Sequence, residues 1–217
     1  MTKTAMSHAT TTRLIILGAG RPRGEGRPYG LQRITPERRV LDWQLNAFAS
    51  LAPTVEFVGG YDIEDVVREF PDLSYIYNSH WGETGSVESL AIALEQGPQV
   101  ELPGDHYILY NDILLRSAFV KAIQNRDDDG ITVAVDSRSL SDSDLDHQQR
   151  ELFEQDGEVG EFVGLVRIPK QHVSLFKNAV LGLRESLATV NLSSLIREVC
   201  KTTPELSISG IDASGMW

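Results

Sequence analysis

Short apolar segments alternate with segments of helical periodicity along most of the chain, and this alternation constrains the fold more than any other feature. Apolar runs of this length, closed by glycine or polar residues, are typical of buried strands. Strands are predicted at 13–20, 54–62, 73–79, 106–112, 130–136 and 160–168, and helices at 35–51, 63–70, 86–97, 113–124, 170–185 and 191–201. Strands that alternate with helices indicate an α/β fold with a mostly parallel sheet.

Length and composition narrow the class of protein. The 217 residues suit one domain over 1–217, with a flexible polar tail at 1–12. The polar stretch 137–160 breaks the alternation, and it is expected to be either a flexible excursion or a lid that orders over a ligand. The formal net charge of −11 argues against nucleic acid as a partner, because such partners select basic surfaces.

The single cysteine, Cys200, cannot form an internal disulfide, which fits a reducing compartment. The first apolar run, Leu14 to Leu17, is too short for a signal sequence or a membrane span. We therefore expect a cytoplasmic protein without a membrane partner.

The loop after the first strand, in LGAGRPRGEGRPYGLQR, combines glycines with an unusual density of arginine. Ligands of parallel α/β sheets bind at the carboxyl ends of strands, and backbone N–H groups there can cradle phosphate. Arginine binds phosphate through two parallel hydrogen bonds. A polyanion such as a triphosphate would explain the cluster, and a surface loop with solvated arginines is the alternative. The arginines are Arg21, Arg23, Arg27 and Arg33, with Arg13 upstream.

Two common phosphate motifs do not fit this loop. In the dinucleotide fingerprint G-x-G-x-x-G, Gly18 and Gly20 match but Arg23 occupies the third glycine position. A P-loop would need a Gly-Lys-Ser/Thr sequence, which is lacking. Asp112 follows the apolar run HYILY, so it should lie at the carboxyl end of the fourth strand. It is a candidate ligand for Mg²⁺, or else the N-cap of the following helix.

Seven stretches, taken in order, resemble the sugar-phosphate and choline-phosphate nucleotidylyltransferase family over about Arg13 to Trp217. They are LIILGAGRPRGEGRPYGLQRI, RVLDWQLNAF, VGGYDIEDV, YNSHWGETGSVESLAIAL, YILYNDILL, ITVAVD and EFVGLVRI. The resemblance implies a Rossmann-like nucleotidyltransferase (GT-A-like) fold, a three-layer sandwich around a mixed, mostly parallel sheet. It also implies an Mg²⁺-dependent enzyme that transfers a nucleotidyl group from a nucleoside triphosphate to an anionic acceptor and releases pyrophosphate.

The same resemblance assigns roles to residues. Asn78 would contact the base, Asp112 would bind Mg²⁺, and Arg21, Arg23 and Arg27 would stabilise the phosphates. The other nucleotide-binding residues implied are Leu17, Gly18, Ala19, Gly20, Thr84, Gly85, Ser86 and Ser89. Those implied for the acceptor are Tyr110, Asn111, Glu161 and Arg167.

The sequence departs from the family in three places. Where the family loop reads roughly Gly-x-Gly-x-Arg, Pro22 replaces the second glycine and Arg23 sits one place before the expected arginine. The family's Pro-Lys pair is Pro28-Tyr29 here, so the catalytic lysine is missing, and Arg27 or Arg33 would have to supply its charge. The family carries a second metal ligand after a tryptophan near the end of the domain, whereas this chain stops at Trp217. Either Asp212 replaces that ligand, or the chain is a domain cut from a longer protein.

The opening segment is similar to the cytidylyltransferase domain fused to phosphoenolpyruvate mutase in phosphonate antibiotic biosynthesis of the fosfomycin type. That similarity implies CTP as donor, an acceptor like 2-hydroxyethylphosphonate and fusion to a mutase domain. Two alternatives stay open, a catalytically weak nucleotide-binding domain and a nucleotide-sugar transferase that uses the D-x-D in Asp142 to Asp146. A homodimer through VLDWQLNAF is also open, although core packing is the simpler use of that helix.

Overall fold

The structure is a computed structural model that describes residues 12–23, 26–97, 103–126, 129–138, 152–155 and 158–217, with only the backbone at 152–155 and 158–159. The helices are α1 (Val40–Phe48), α2 (Ile63–Glu69), α3 (Ser86–Gln96), α4 (Ser117–Gln124), α5 (Val173–Leu187) and α6 (Leu192–Thr202). The strands are β1 (Arg13–Gly18), β2 (Thr54–Gly59), β3 (Ser74–Tyr77), β4 (His106–Tyr110), β5 (Ile131–Asp136), β6 (Leu152–Gln155), β7 (Glu158–Ile168) and β8 (Ile208–Asp212).

One mixed sheet of eight strands organises the described chain. Its order is β3-β2-β1-β4-β7-β5-β8, and β6 pairs with the first part of β7. The pairings β1–β2, β1–β4, β2–β3 and β5–β8 are parallel, whereas β7 is antiparallel to β4, β5 and β6. Since β7 alone runs against the others among the described strands, the carboxyl ends of β1, β2, β4, β5 and β8 meet at one edge.

Helices cover both faces of the sheet, which confirms the predicted three-layer sandwich. Successive side chains of β1 point to opposite faces, so Ile15 and Leu17 pack with α3, α5 and α6, while Leu14 and Ile16 pack with α1, α2 and α4. All four of these side chains are buried. The mostly apolar β1 is therefore a central strand covered on both sides.

Two helices begin four or five residues later than predicted. Thr35 and Pro36 form a turn in which the Thr35 hydroxyl accepts the Arg38 N–H at 3.1 Å, and α1 begins only at Val40, where Asp42 accepts the Arg39 N–H at 2.9 Å. The fourth helix begins at Ser117, with Arg116 as its N-cap. Asp112 is therefore not a helix N-cap, and that alternative is wrong.

Two strands were not predicted at all. β8 lies at the sheet edge, where Ile208–Asp212 pairs in parallel with β5. β6 and the start of β7 lie inside the stretch expected to be a flexible excursion, while 139–151, which holds the D-x-D, is outside the described residues, as is the tail at 1–11. No helix in the described part of the chain is long and apolar enough to cross a membrane.

Candidate active site

Two cavities adjoin at the carboxyl ends of β1 and β4, where the sequence predicts the site. Both are lined by Leu17, Gly20 and Tyr110. The loop cavity, of about 180 Å³, is further lined by Gly18, Arg21, Tyr29, Asn111 and Asp112. The helix cavity, of about 210 Å³, is further lined by Ala19, Trp81, Thr84, Gly85, Ser86 and Ser89. Apart from Asn78, the structure thus gathers the whole predicted nucleotide-binding set around one cleft.

Gly18 and Gly20, at the start of the loop, have different surroundings. A Cβ at Gly18 would lie 2.3 Å from the Phe57 ring and 2.8 Å from the Asn111 amide nitrogen, so only glycine fits where the loop leaves the sheet. A Cβ at Gly20 would meet nothing within 4 Å. Gly18 is therefore needed for packing, whereas Gly20 presents open backbone to both cavities.

Asp112 lies at the rim of the loop cavity. Desolvation by the surrounding protein raises the pKa of its carboxyl above the ordinary range, and this is opposed by its own backbone N–H and by the positive charge of Arg23. The exposed carboxylate offers hard oxygen atoms beside the glycine loop. It therefore fits the role of a single protein ligand to Mg²⁺, an ion that commonly takes one or two carboxylates together with phosphate and water.

The loop arginines divide into two groups. Arg21 lines the loop cavity, with its guanidinium 5.5 Å from the centre of the Tyr61 ring. Arg23 interacts with Asp112 and donates its backbone N–H to the Tyr29 hydroxyl at 3.3 Å.

Arg27 and Arg33 have partners elsewhere. Arg27 forms an ion pair with Glu69 at 3.6 Å, and Arg33 donates to the Pro36 carbonyl. Neither lines the two cavities. Neither is placed to supply the charge of the missing lysine, and Tyr29, at the family's lysine position, does line the loop cavity.

Asn78 lies beneath the helix cavity instead of lining it. Its side chain is fully buried. The amide nitrogen donates to the hydroxyls of Thr84 at 3.2 Å and Ser89 at 3.0 Å, and the amide oxygen accepts the His80 N–H at 2.9 Å. Both amide hydrogens of Asn78 are therefore used within the protein, and its buried side chain does not line the cavity where a base would contact it.

Tyr110 stands between the cavities and connects three elements. Its hydroxyl lies 3.2 Å from the Ser86 hydroxyl at the start of α3 and accepts the Leu192 N–H at 3.1 Å at the start of α6. Its ring packs edge-on against Phe162 of β7, with 5.8 Å between the ring centres. Tyr110 therefore fixes the spacing of the helix starts around the cleft.

The predicted acceptor residues lie in different places. Asn111 is buried at the loop cavity, and its amide oxygen has no hydrogen-bond partner. Glu161 pairs with Asp136 across β5 and β7, which places it at the same edge of the sheet as the cavities. Arg167 does not reach this edge. It pairs with Tyr107, near the amino end of β4, and donates to Asp105 at 2.7 Å.

The prediction that Arg167 contacts substrate is therefore not supported by the geometry. Tyr107 is three residues from Tyr110, which is about 10 Å along a strand. The placement of Arg167 follows from the antiparallel direction of β7, which puts the end of that strand at the far edge.

Asp212 ends β8 and lies outside the lining of both cavities. Its carboxylate accepts the Ser214 hydroxyl at 2.6 Å and the Ser137 hydroxyl at 3.3 Å. Ser214 is the main cause of the lowered pKa of this carboxyl. Across the described residues, no group of three or more His, Cys, Asp or Glu side chains could hold a metal ion.

Sequence reasoning missed Asp136, the last residue of β5. It is buried, and it accepts hydrogen bonds from Arg138 and from the Trp217 indole at 2.8 Å. It also lies 2.8 Å from the Ser214 hydroxyl, whose single hydrogen it shares with Asp212. Burial favours a raised pKa, but these donors outweigh it and hold the pKa well below the usual range. The signal in the sequence was an aspartate that closes a buried strand, the same signal that singled out Asp112.

Comparison with known proteins supports the fold. No family model matches the sequence, and no curated protein matches it. Solved structures do: the inositol-1-phosphate CTP transferase from T. maritima superposes with a TM-score of 0.67 at 15% identity over 94% of this chain and 86% of that one.

Two other solved structures agree with the first. The CTP:phosphocholine cytidylyltransferase from Streptococcus pneumoniae has a TM-score of 0.60 at 16% identity over 93% and 90% of the chains. The 4-diphosphocytidyl-2C-methyl-D-erythritol synthase from Anaerococcus prevotii has 0.61 at 13% identity over 94% and 87%. At these identities the likeness establishes the fold, and this chain has the Rossmann-like fold of solved nucleotidyltransferases.

Proposed function

We propose that this protein is a cytidylyltransferase that transfers CMP from CTP to a phosphate or phosphonate oxygen of a small acceptor and releases pyrophosphate. The observation that carries the proposal is the pair of adjoining cavities, one beside a glycine-arginine loop and Asp112, the other lined by hydroxyls at the start of α3. This arrangement has separate places for a polyphosphate and a base. The three solved structures described above are named for CTP-dependent or cytidyl chemistry.

In the proposed reaction an anionic oxygen of the acceptor attacks the α-phosphorus of CTP. The bond from that phosphorus to the bridging oxygen breaks, and pyrophosphate leaves in line. A phosphate or phosphonate oxygen is already ionised near neutral pH, so no general base is required. Catalysis then rests on positioning and on neutralising charge.

The residues of the loop cavity suit those two tasks. Backbone N–H groups at Gly18–Gly20 would bind phosphate oxygens, because the cavity reaches this backbone directly. Arg21 lines the cavity and would bind the β- and γ-phosphates. Asp112 would hold Mg²⁺, which when bound neutralises charge on the phosphate oxygens.

For the acceptor, we propose a small molecule that carries its own anionic oxygen, with a 2-hydroxyethylphosphonate-like compound as the finer candidate. The proposed contacts of this acceptor are Asn111, Tyr110 and Glu161. Arg167 is not among them, because it lies at the far edge of the sheet. Fusion to a mutase domain and a homodimer remain predictions.

A second candidate, a nucleotide-binding domain with weak or no turnover, is favoured by one observation. Tyr29 stands at the loop cavity where the related family has a lysine, and Arg27 is paired with Glu69 outside the cavity. In such a domain CTP binds, but the charge of the departing pyrophosphate is poorly compensated.

Calorimetry and pyrophosphate release together test both candidates. With Mg²⁺ present, we expect CTP to bind with one-to-one stoichiometry and an added phosphonate or phosphate acceptor to give pyrophosphate. Binding without pyrophosphate from any acceptor would favour the second candidate, and no triphosphate binding would contradict both.

A matched pair of arginine variants tests the role of the loop. We expect Arg21→Ala to weaken CTP binding about tenfold, the value of one charge-assisted hydrogen bond. Arg27→Ala serves as the control, since Arg27 is about half-exposed and paired outside the cavity. Equal effects of the two substitutions would contradict the proposed phosphate contact of Arg21.

A further inference from the structure

We infer that Asn78 sets the hydrogen-bond polarity of the helix cavity, by turning the Ser89 hydroxyl into a donor that selects cytosine over uracil. This inference rests on the proposed function and deepens it, because it names the group on the base that is read. Asn78 itself would not touch the nucleotide. Its amide would act through Ser89, which lines the cavity.

The orientation of the Asn78 amide is fixed by a backbone donor. The His80 N–H lies 2.9 Å from one amide atom of Asn78, and a backbone N–H can only donate. That atom must therefore be the amide oxygen, and the other must be the NH₂ group. Because the side chain is fully buried, solvent offers no alternative partner.

The two hydrogens of the NH₂ group go to two hydroxyl oxygens. They point to Thr84 Oγ1 at 3.2 Å and Ser89 Oγ at 3.0 Å. Nitrogen in an amide has no lone pair to offer, so both hydroxyls must accept at these contacts. Each hydroxyl hydrogen then has to be directed elsewhere.

The hydroxyl hydrogens of Thr84 and Ser89 have different destinations. Thr84 donates its hydrogen to the His80 carbonyl at 2.9 Å, which completes a closed ring of hydrogen bonds around the turn 78–84. For the Ser89 hydrogen, the described residues offer no acceptor. Ser89 is only 4% exposed, yet it lines the helix cavity, so its hydrogen is left to point at whatever occupies that cavity.

A buried hydroxyl that must donate favours a ligand that presents an acceptor. Failing to pair such a group costs more than making the bond gains, so the mismatched ligand is penalised. At N3 cytosine presents an acceptor and uracil an N–H donor, whereas at position 4 the difference is reversed, since cytosine has an NH₂ donor there and uracil a carbonyl acceptor. We therefore place the Ser89 hydroxyl opposite N3, the contact that agrees with CTP as the proposed donor. With Ser89 facing N3, the cavity accepts CTP and disfavours UTP.

Asn78→Asp tests this with almost no change in size. A carboxylate accepts at both oxygens, so His80 N–H stays bound while the Ser89 hydrogen turns toward residue 78 and leaves a lone pair facing the cavity. In calorimetric titrations with Mg²⁺, we expect the affinity for CTP to fall about tenfold or more and the affinity for UTP to rise. An unchanged ratio of the CTP and UTP affinities would overturn the inference.

Ser89→Ala keeps the test decisive if the aspartate variant does not fold. Without the hydroxyl, we expect the preference for CTP over UTP to fall about tenfold, and retention of the wild-type preference would overturn the inference. Ser79→Ala is the control, because Ser79 is exposed in the same turn and contacts only the His80 ring among its hydrogen-bond partners; it should leave the ratio unchanged.

The wild-type titration separates this inference from the proposed function. If CTP and UTP bind equally well, the inference is overturned while the proposed nucleotide site stands. If neither binds, the proposed function fails and the inference fails with it. If CTP binds preferentially, the two substitutions decide whether Asn78 and Ser89 are the cause.

Discussion

Asp112 and Asp136 are both aspartates at the carboxyl ends of buried strands, yet their pKa values move in opposite directions. Burial favours the protonated form of each. At Asp112 only its own backbone N–H and the charge of Arg23 oppose burial, so the pKa rises. At Asp136 donors from Arg138, Ser214 and Trp217 prevail, so the pKa falls. Asp136 is therefore held by hydrogen bonds within the protein, whereas the carboxylate of Asp112 is available to bind a ligand.

Asp112→Asn is expected to stabilise the fold and remove activity. A raised folded-state pKa means that stability falls as pH rises from the unfolded value, about 3.9, through the folded value, so the ionised carboxylate is unfavourable at pH 7. The variant should unfold at a slightly higher temperature at pH 7, while pyrophosphate release drops by about a hundredfold or more. A variant that is less stable, or that retains full turnover, would contradict the role given to Asp112.

Asp136→Asn is expected to destabilise the fold. A lowered folded-state pKa contributes stability above the unfolded value, and this contribution is lost as pH falls from about 4 toward the folded value. At pH 7 the variant should lose about 1–3 kcal/mol of unfolding free energy, the usual value of hydrogen bonds to a buried charge. Urea unfolding of wild type and variant at pH 7 measures this loss of unfolding free energy. Asp72→Asn is the control, because Asp72 is exposed.

At the scale of elements, the loop after β1 contains two glycines with different roles. Gly18 is needed for packing, and Gly20 is proposed to give phosphate access to the loop backbone. Gly18→Ala would press a methyl group into the Phe57 ring, at 2.3 Å, and should destabilise the fold by about 1–3 kcal/mol. The methyl group of Gly20→Ala would have no atom within 4 Å, so the unfolding free energy of this variant should stay close to that of wild type.

The two variants should differ again in ligand binding. Gly20 backbone lines both cavities, and a methyl group there would narrow the approach of phosphate. Calorimetry should show weaker CTP binding for the fully folded Gly20→Ala. Wild-type affinity in that variant would indicate that phosphate does not approach the loop backbone.

Elements were predictable where local signals and burial agree. The end of α3 was correct because Gly97 follows its last residue. The start of β1 was correct because the apolar run begins after Arg13, but the strand ends at Gly18 and not at Gly20 as predicted. The start of α1 was wrong because Thr35-Pro36 is also a good turn, and that turn is closed by Arg38. β8 was missed because Ile208–Asp212 owes its conformation to pairing with β5 and not to its own apolar pattern.

At the scale of the whole molecule, the sheet order decides which residues meet. The sequence indicated strand ends as ligand sites, and Gly18, Asp112 and Ser89 do lie around one cleft. The direction of β7 could not be predicted, since it depends on pairing between segments far apart in the chain. The antiparallel direction of β7 places Glu161 at the edge of the sheet where the cavities lie and Arg167 at the far edge, and the contact of Glu161 with an acceptor stays a prediction.

The assembled cleft predicts that ligand binding stabilises the entire fold. CTP with Mg²⁺ at about a hundred times its dissociation constant should add about 2.7 kcal/mol, since it binds only the folded state. For a domain of this size the melting temperature should rise by about 5–10 °C. Thermal unfolding measures the shift, and CTP with a chelator in place of Mg²⁺ should give a clearly smaller one. Equal shifts would argue against the metal site at Asp112.

The most direct test of the central claim is ³¹P NMR of the protein mixed with CTP, Mg²⁺ and a panel of phosphate and phosphonate acceptors. The proposed transfer predicts that CTP resonances disappear together with those of one acceptor, while pyrophosphate and a product with a new bond between the α-phosphorus and the acceptor oxygen appear in equal amounts. CTP that stays intact with every acceptor, or that yields only CDP and phosphate, would contradict it.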